Sequence, residues 1–400
     1  MATRIFTLLA AMTLAACTGS NQPASNSELV SSDTKPNTPT VSGKFVPPSG
    51  KSIMFVGQDS ETISDYIRDV PEDNLEGVTL YTMLKSPDPE QTLSGVFSLG
   101  NWNSGDVDFA QTLSQAPNAA LAIGLAFDAC NDVDHATKIA NGEYDESIKT
   151  FAGYLASLAP RKVFLRIGYE FDGMWNCYNP ESYKLAYRVI AEGVRDIAPD
   201  NVTMVWQSAT WPAPEFAGVR AHLYDHNDPE HINKWYPGDD VVDWVSISVF
   251  YRDLSQFNFY VSITPADAQQ KFLDFARAKG KPIFISESAP QGYRIGLETH
   301  SFIGLNAQTP RSAEAIWRDW YQPYFDFIYD NQDVIRGVAY INTHWEAQSR
   351  WYCAPNATAG TTQCPEGNWG DSRVQANDYI KAQWLKRVND GVKWTQNSDY

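Results

Sequence analysis

Two glutamates lie near the ends of apolar runs and have the chemistry of a general acid/base pair. Glu170 lies in "VFLRIGYEFDGMWNCYNP" (163–180), and Glu287 lies in "IFISESAP" (283–290). Two carboxyl groups about 5–5.5 Å apart suit a retaining glycosidase, in which one attacks the anomeric carbon and the other protonates the leaving oxygen. Repulsion from the ionised nucleophile would raise the pKa of its partner and keep that partner protonated. We therefore predict a catalytic role for both glutamates.

An ion pair at the rim of the fold is the alternative for either glutamate taken singly. Arg166 lies four residues before Glu170, and the period of two along a strand places both side chains on the same side. Arg166 could therefore neutralise Glu170, or it could contact a substrate. The joint placement of the two glutamates, each among aromatic residues, favours a functional site.

Eight short apolar runs after residue 50 are the elements that would position these residues. The runs span residues 52–59, 77–84, 120–127, 163–170, 201–208, 242–250, 282–288 and 334–345. Their near-continuous apolar character predicts strands covered on both faces, as in a parallel sheet. We predict an α/β fold, a single (β/α)8 TIM barrel with long βα loops, whose functional sites lie at the carboxyl ends of the strands. Glu170 would close strand 4 and Glu287 would close strand 7, so that they face each other across the barrel mouth.

A doubly wound open sheet is the competing fold. Folds of that class usually carry a glycine-rich phosphate loop after a strand. Neither GxGxxG nor GxxxxGK[ST] follows any of the eight runs, and the barrel is therefore favoured.

Capping signals predict three of the helices between the strands. Asn179 and Pro180 fit an N-cap and a first helical position. The apolar residues that follow fall on one helical face: Tyr183, Ala186, Tyr187, Ile190, Val194 and Ile197. Thr264 and Pro265 begin a second helix, and residues 310–330 form a third. The helix after strand 5 is not clear from the pattern.

Aromatic side chains beside the strand ends are candidates for stacking on sugar rings, because the chain is 13% aromatic, with 13 Trp and 20 Tyr. Trp175 follows Glu170, Trp206 lies at the end of strand 5, and Trp345 ends strand 8 just after His344. Packing in the core is the alternative for each ring. We predict that Trp175, Trp206, His344 and Trp345 bind substrate.

Three stretches resemble motifs of the clan A glycoside hydrolases, most of all family 26, whose founding activities are β-mannanase and β-1,3-xylanase. "LRIGYEFDGMWN" (165–176) is similar to the strand-4 motif, "FISESAP" (284–290) to the strand-7 motif, and "WYPGDDVVDWVSIS" (235–248) to the approach to strand 6. The resemblance implies that Glu170 is the acid/base and that Glu287 is the nucleophile.

Two departures from the family pattern bear on the substrate. Family mannanases usually have His immediately before the acid/base, where this chain has Tyr169. The strand-6 tyrosine that normally hydrogen-bonds the nucleophile aligns with Phe250, and Tyr251 follows it. Either a one-residue bulge supplies Tyr251 or that contact is absent. Tyr169 and Tyr251 are therefore further candidates for contacts in the site.

We predict a retaining, endo-acting β-glycosidase that hydrolyses a polysaccharide. The expected substrate is β-mannan, and the alternatives are β-1,3-xylan or an algal galactan such as carrageenan. A surface glycan-binding lipoprotein without turnover is the alternative from another class. The net charge of −17 and pI near 4.7 argue against nucleic acid as a partner. We expect no cofactor, and no CxxC or HExxH motif indicates a metal. The sequence does not indicate an oligomeric state.

The first 17 residues, "MATRIFTLLAAMTLAAC", have the layout of an export signal, and the apolar stretch is too short to span a bilayer. "LAAC" resembles a bacterial lipobox, which implies cleavage before Cys17, lipidation of that cysteine and a membrane contact through the lipid only. Thr18 resembles the residue that follows the lipid cysteine in lipoproteins sent to the outer membrane. We predict a flexible tether over 18–50 and the barrel domain over 51–395.

Four further cysteines would lie in an oxidising compartment, and they allow three pairings. Cys353 with Cys364 would close a short loop. Cys130 with Cys177 would join two loops that the barrel makes neighbours.

Overall fold

The computed structural model describes residues 41–396 except 74, 128–129, 131–132, 213 and 253–262. The predicted export signal, Cys17 and the predicted tether up to residue 40 lie outside the described residues. Among the helices in the described part of the chain, none is long and apolar enough to cross a membrane.

Eight parallel strands form a closed barrel, which confirms the predicted fold class. In chain order they are β1 (Ile53–Val56), β2 (Gly77–Met83), β3 (Ala120–Ala126), β4 (Val163–Ile167), β5 (Val202–Ser208), β6 (Trp244–Val249), β7 (Ile283–Ser288) and β8 (Ile335–Tyr340). Each strand pairs with the next, and β8 pairs with β1 to close the barrel. All eight strands are shorter than the predicted runs, and as a result β4 ends before Glu170 and β8 ends before Trp345.

Helices lie between the strands and after the last one. They are α1 (Ser60–Asp69), α2 (Phe109–Gln115), α3 (His135–Ala140), α4 (Asp145–Ser157), α5 (Pro180–Ile197), α6 (His231–Trp235), α7 (Pro265–Lys279), α8 (Ala313–Ile316), α9 (Gln322–Asp330) and α10 (Asp378–Val388). A π-helical turn, Trp317–Tyr321, joins α8 to α9. Short 3-10 segments cover Pro89–Gln91, Met174–Asn176, Pro214–Leu223, Ile295–Leu297, Trp345–Ala347 and Val374–Ala376.

The predicted starts of α5 and α7 are confirmed. Asn179 caps α5 by accepting the N–H of Glu181, and Thr264 forms a reciprocal capping box with Asp267 at α7. The predicted apolar face of α5 is buried except at Ile197, the last helical residue, which is 40% exposed. Local capping chemistry was therefore sufficient to place both helix starts.

Inward-facing side chains fill the barrel in layers. Toward the amino ends of the strands lies an aromatic plug of neighbouring rings, with centroids 5.0–6.3 Å apart: Phe55, Phe164, Trp244 and Phe284. Toward the carboxyl ends the interior becomes polar, with Arg166, Gln207 and Ser248 beneath the barrel mouth. The interior therefore changes from apolar packing to hydrogen-bonding groups along the strand direction.

Residues 41–50, which the sequence analysis assigns to the tether, pack against the amino end of the barrel. The ring of Phe45 lies 5.8 Å from that of Phe164. Trp244 Nε1 donates to the carbonyl of Lys44 at 2.9 Å. Because these residues supply apolar surface and a hydrogen-bond acceptor to the plug, the packed domain begins earlier than predicted.

Two disulfides lie in loops that follow the carboxyl ends of the strands, and their pairing is one of the three that the sequence allows. Cys130–Cys177 joins the loop after β3 to the loop after β4, and Cys353–Cys364 closes a loop after β8. Both covalent links therefore restrain the loop side of the barrel.

Candidate active site

A cleft at the carboxyl ends of the strands contains both glutamates. Its cavity volume is about 440 Å³. Aromatic rings form much of its wall: Tyr81, Trp102, Tyr169, Trp175, Trp211, Phe250, Trp345, Trp351 and Trp369. Flat aromatic faces with a few polar groups between them suit a sugar ring, which has apolar faces and a polar edge.

Glu287 reaches the cleft because of an irregularity in β7. The Ser286 and Ser246 hydroxyls contact each other inside the barrel, so strict alternation would turn Glu287 toward the helices. The register between β7 and β6 shifts after Ile285, and Glu287 lies beside Ser248. The additional residue acts as a β-bulge and directs the carboxylate inward.

Three side chains from other strands donate hydrogen bonds to Glu287 Oε1. The Tyr81 hydroxyl on β2 lies at 3.0 Å and Gln207 Nε2 on β5 at 3.4 Å. Arg166 Nη2 on β4 forms an ion pair with the same oxygen. Such charge-assisted contacts stabilise an ionised carboxylate. Arg166 therefore pairs with Glu287, and not with Glu170 as the spacing along strand 4 indicates.

Arg166 lies beneath the cleft wall and is fully buried, which corrects its predicted contact with substrate. Its Nε donates to Gln207 Oε1 at 2.7 Å. Its guanidinium lies over the rings of Tyr81 and Tyr169, at 5.0 and 5.2 Å from their centroids. These contacts hold the guanidinium at the base of the site, where it forms the ion pair with Glu287.

Gly124 on β3 makes room for Tyr81. A Cβ at Gly124 would lie 2.4 Å from Cδ1 of the Tyr81 ring, closer than real Cβ contacts come. The absence of a side chain at this position allows the tyrosine to reach Glu287.

Glu170 lies on a tight turn just past β4. Gly168 and Glu170 have φ values of 54° and 50°, a left-handed conformation that costs free energy for a residue with a side chain. Asn176 Nδ2 donates to the carbonyls of Tyr169 and Glu170, each at 3.0 Å. The N–H of Gly173 also donates to the Glu170 carbonyl, at 2.8 Å. These bonds stabilise the turn that presents the carboxyl group.

The Glu170 carboxyl has weaker support for a negative charge. Ser248 Oγ donates to Oε1 at 2.7 Å, and Trp175 Nε1 donates to Oε2 at 2.9 Å. Burial, followed by the charge of Glu287, raises the pKa of Glu170 to about 8, while the two hydrogen bonds act in the opposite direction. Within the described residues, no cation forms an ion pair with Glu170. The surroundings of the two glutamates therefore differ, as those of an acid and a nucleophile do.

Tyr169, Trp175 and Trp345, three of the predicted substrate-binding residues, line the cleft. Trp175 is 47% exposed. Trp345 is almost fully covered, with its ring 5.2 Å from that of Trp369. Trp175 therefore presents a free face, whereas Trp345 forms a packed wall.

Trp206 lies in the core, contrary to its predicted role. Its ring stacks on Phe171 with centroids 4.4 Å apart and planes 7° apart, and it is fully buried. The reason is the alternation of a strand, because Gln207 takes the inward position on β5 and Trp206 faces the helices.

Tyr251 and His344 are also outside the set of cleft-lining residues. Tyr251 packs on Trp211 with ring centroids 6.3 Å apart. His344 forms an isolated backbone bridge with Asp371. The tyrosine hydroxyl on Glu287 comes from Tyr81 instead of Tyr251, because Tyr81 on β2 reaches Glu287 through the barrel interior.

Tyr81, Gln207 and Ser248 were not among the predicted site residues. All three are polar residues in otherwise apolar strands, next to the carboxyl end. A search for polar residues at inward positions would have found them, provided that the inward face of each strand was known.

Within the part of the chain that the structure describes, one cluster of side chains could hold a metal ion. Asp172, His226 and His231 are buried, and each offers a ligand atom within 4.8 Å of the others. Asp172 lies far from the two histidines in sequence, so no local motif joins all three residues.

Comparison with known proteins finds relatives among the β-1,3-xylanases. One from a Vibrio species is 33% identical over 361 residues, which are 89% of this chain and 68% of the relative. One from an Alcaligenes species is 33% identical over 361 residues, with 89% and 67% coverage. No model of a protein family matches the chain.

Solved structures with the same barrel include a family 26 β-mannanase from Bacteroides ovatus, 16% identical with a TM-score of 0.51, covering 87% of this chain and 91% of that one. An endo-β-1,4-mannanase double mutant from Cellulomonas fimi is 12% identical with a TM-score of 0.52, covering 88% and 73%. At these identities the likeness shows the fold alone. The xylanase relatives show that this chain is a glycoside hydrolase of the β-1,3-xylanase family, and its closed barrel fits the predicted resemblance to family 26 of clan A.

Proposed function

We propose that the protein is a retaining, endo-acting β-glycosidase with Glu287 as nucleophile and Glu170 as acid/base. The observation that carries this proposal is the division of hydrogen-bond donors between two carboxyl groups of one cleft. Glu287 Oε1 accepts hydrogen bonds from the side chains of Arg166, Tyr81 and Gln207. Glu170 receives only the neutral donors Ser248 and Trp175.

The mechanism follows from this division. Glu287 attacks the anomeric carbon and forms a glycosyl ester, while Glu170 gives its proton to the leaving glycosidic oxygen. The ionised Glu170 then takes a proton from a water molecule that attacks the same carbon, and the Glu287 carboxylate is released. Arg166 and Tyr81 hold Glu287 in position throughout.

We propose that β-1,3-xylan is the preferred substrate, because the relatives that align with 89% of this chain are β-1,3-xylanases. Tyr169 supports this choice over β-mannan, since mannanases of the family usually have His at that position. β-Mannan and algal galactans such as carrageenan are the alternatives.

The experiment is digestion of a panel containing β-1,3-xylan, β-mannan and carrageenan, with product sizing and reducing-end assay. We expect wild type to release oligosaccharides of mixed length from β-1,3-xylan, and Glu287→Ala to lower the rate on the order of 10³-fold or more. Glu314→Ala, at an exposed residue of α8, is the control. If wild type and Glu287→Ala bind a glycan equally and neither releases reducing ends, the protein is a binding module.

Stereochemistry tests the nucleophile independently. Proton NMR of early product should show the retained anomer, because two displacements at one carbon restore its configuration. First appearance of the inverted anomer would exclude Glu287 as a covalent nucleophile.

We propose further that the protein is exported and anchored at the outer membrane by a lipid on Cys17. The lipobox-like "LAAC" and the polar segment after it support this localisation. Cell fractionation should find the wild-type protein in the outer membrane and Cys17→Ala outside it. An unmodified Cys17 in mass spectra of the mature protein would contradict the anchor.

A further inference from the structure

A buried group of three potential metal ligands lies behind the turn that carries Glu170. Asp172 follows Glu170 by two residues, His226 lies between β5 and α6, and His231 is the first residue of α6. Their exposed fractions are 2%, 2% and 3%. Asp172 Oδ2 lies 2.9 Å from His231 Nε2 and 3.5 Å from His226 Nε2.

Hydrogen bonding within the protein leaves one member of the group without a partner. Asp172 accepts the Ser208 hydroxyl at 2.6 Å, the Ala209 N–H at 2.7 Å and His231 Nε2 at 2.9 Å. His226 Nε2 is buried and forms no hydrogen bond with the described residues. A buried polar atom without a hydrogen-bond partner destabilises the fold, and a bound cation would remove that cost.

Two of the three separations between ligand atoms are close to those around a tetrahedral ion. Zinc bonds of about 2.0–2.1 Å place neighbouring ligand atoms roughly 3.3 Å apart. The two measured separations from Asp172 Oδ2, 2.9 and 3.5 Å, lie on either side of that value. His226 and His231 also have the His-x4-His spacing found in zinc sites.

The bonds from Ser208 and Ala209 orient the carboxylate in the manner of outer-shell partners at metal centres. Two imidazoles and one carboxylate favour zinc over calcium or magnesium, which prefer oxygen ligands.

We propose that Asp172, His226 and His231 form a zinc-binding site. Three protein ligands leave the fourth tetrahedral position to a water molecule. The ion would join the loop after β4 to the segment between β5 and α6, and it would thereby restrain the turn of Glu170. The site is separate from the carboxylate pair in the cleft and does not depend on the proposed hydrolysis.

Metal content of the untagged full-length protein tests the site. The protein is purified from cells grown with added Zn²⁺, and a second sample is treated with chelator and incubated with Zn²⁺. Both are desalted and measured by mass spectrometry for metal per chain. We expect one zinc per chain in wild type and in His222→Gln, an exposed histidine of the same segment. His226→Gln and His231→Gln should each lose it.

Co²⁺ substitution and thermal unfolding provide further measurements. Co²⁺-loaded wild type should show the visible absorption of a tetrahedral site, and Zn²⁺ should raise Tm in wild type and in His222→Gln but not in His226→Gln. The proposal is overturned if wild type retains no metal in either preparation, or if the His226 and His231 variants retain as much as His222→Gln. If a variant fails to fold by circular dichroism, the metal content and Co²⁺ spectrum of wild type decide.

Discussion

Glu170 and Glu287 have the same side chain, and their surroundings give them different chemistry. Arg166 is placed against Glu287, which stabilises its charge, whereas Glu170 is buried beside that charge and its pKa rises. Arg166 is four residues from Glu170 in sequence, yet it pairs with a residue three strands away. The contact that distinguishes the two glutamates is therefore one between distant strands.

Glu170→Gln should separate the two steps of the reaction. The variant lacks the proton that the glycosidic oxygen of a polysaccharide needs, so its polymer rate should fall about 10²–10⁴-fold. An aryl glycoside with a good leaving group needs no such proton and should still form the glycosyl ester. Because the base for the second step is also missing, product should appear in a burst and then slow. Glu314→Gln should behave as wild type; equal losses on both substrates would contradict the assignment.

Tyr81→Phe tests the tyrosine that β2 supplies to the nucleophile. The variant removes a hydrogen bond of 3.0 Å to Glu287. A hydrogen bond to a charged group contributes about 1.5–3 kcal/mol, so kcat should fall about 10- to 100-fold with a smaller change in KM. Tyr352→Phe, at an exposed residue, is the control. An unchanged kcat in Tyr81→Phe would show that the hydroxyl does not assist Glu287.

At the scale of elements, helix caps and strand irregularities position the side chains. The bulge in β7 turns Glu287 inward, and the left-handed turn after β4 presents Glu170. Asp59 after β1 caps α1 by accepting the Thr62 N–H at 2.8 Å. Asp59 lies at the mouth of the barrel, and its carboxyl group is buried there and not exposed to water.

Asp59 should make stability depend on pH. Burial raises its pKa from 3.8 to about 6, although hydrogen bonds from Thr62 act in the opposite direction. Because the folded pKa is higher than the unfolded one, the protonated form stabilises the fold below about pH 4, and this stabilisation is lost as the pH rises through 6. Relative to wild type, Asp59→Asn should gain about 2–3 kcal/mol in unfolding free energy between pH 4 and pH 7.

Urea unfolding at several pH values measures this difference. Asp108→Asn, at the half-buried N-cap of α2, is a matched control that should not reproduce the change. If the unfolding free energies of wild type and Asp59→Asn differ by the same amount at every pH, the prediction is wrong.

At the scale of the whole molecule, the barrel is closed at one end and open at the other. The segment 41–50 covers the amino end through Phe45, and loops joined by two disulfides surround the cleft at the other end. The aromatic plug lies between the segment 41–50 and the cleft, so the packed amino end of the barrel is separate from the catalytic residues. Loop changes around the cleft can therefore alter the substrate without disturbing the core.

Two truncations test the role of the segment 41–50. Removal of residues 1–40 should leave Tm unchanged, whereas removal of residues 1–50 should lower the unfolding free energy by about 2–3 kcal/mol, because the buried Val41 and the half-buried Phe45 lose their packing. Both should be produced with the same foreign export signal so that the disulfides form. Equal Tm values for the two truncations would show that the segment does not stabilise the barrel.

The eight strands and the starts of α5 and α7 were readable from the sequence, because apolar runs and caps such as Asn179 and Thr264 act within a few residues. Both glutamates were also found, since a carboxylate at the end of an apolar run is conspicuous. The direction of each side chain was decided by tertiary structure. The register shift in β7 turns Glu287 toward Arg166, and the alternation of β5 places Trp206 in the core. Neighbouring strands control these choices through their pairing, and pairing between distant segments leaves no local signal in the chain.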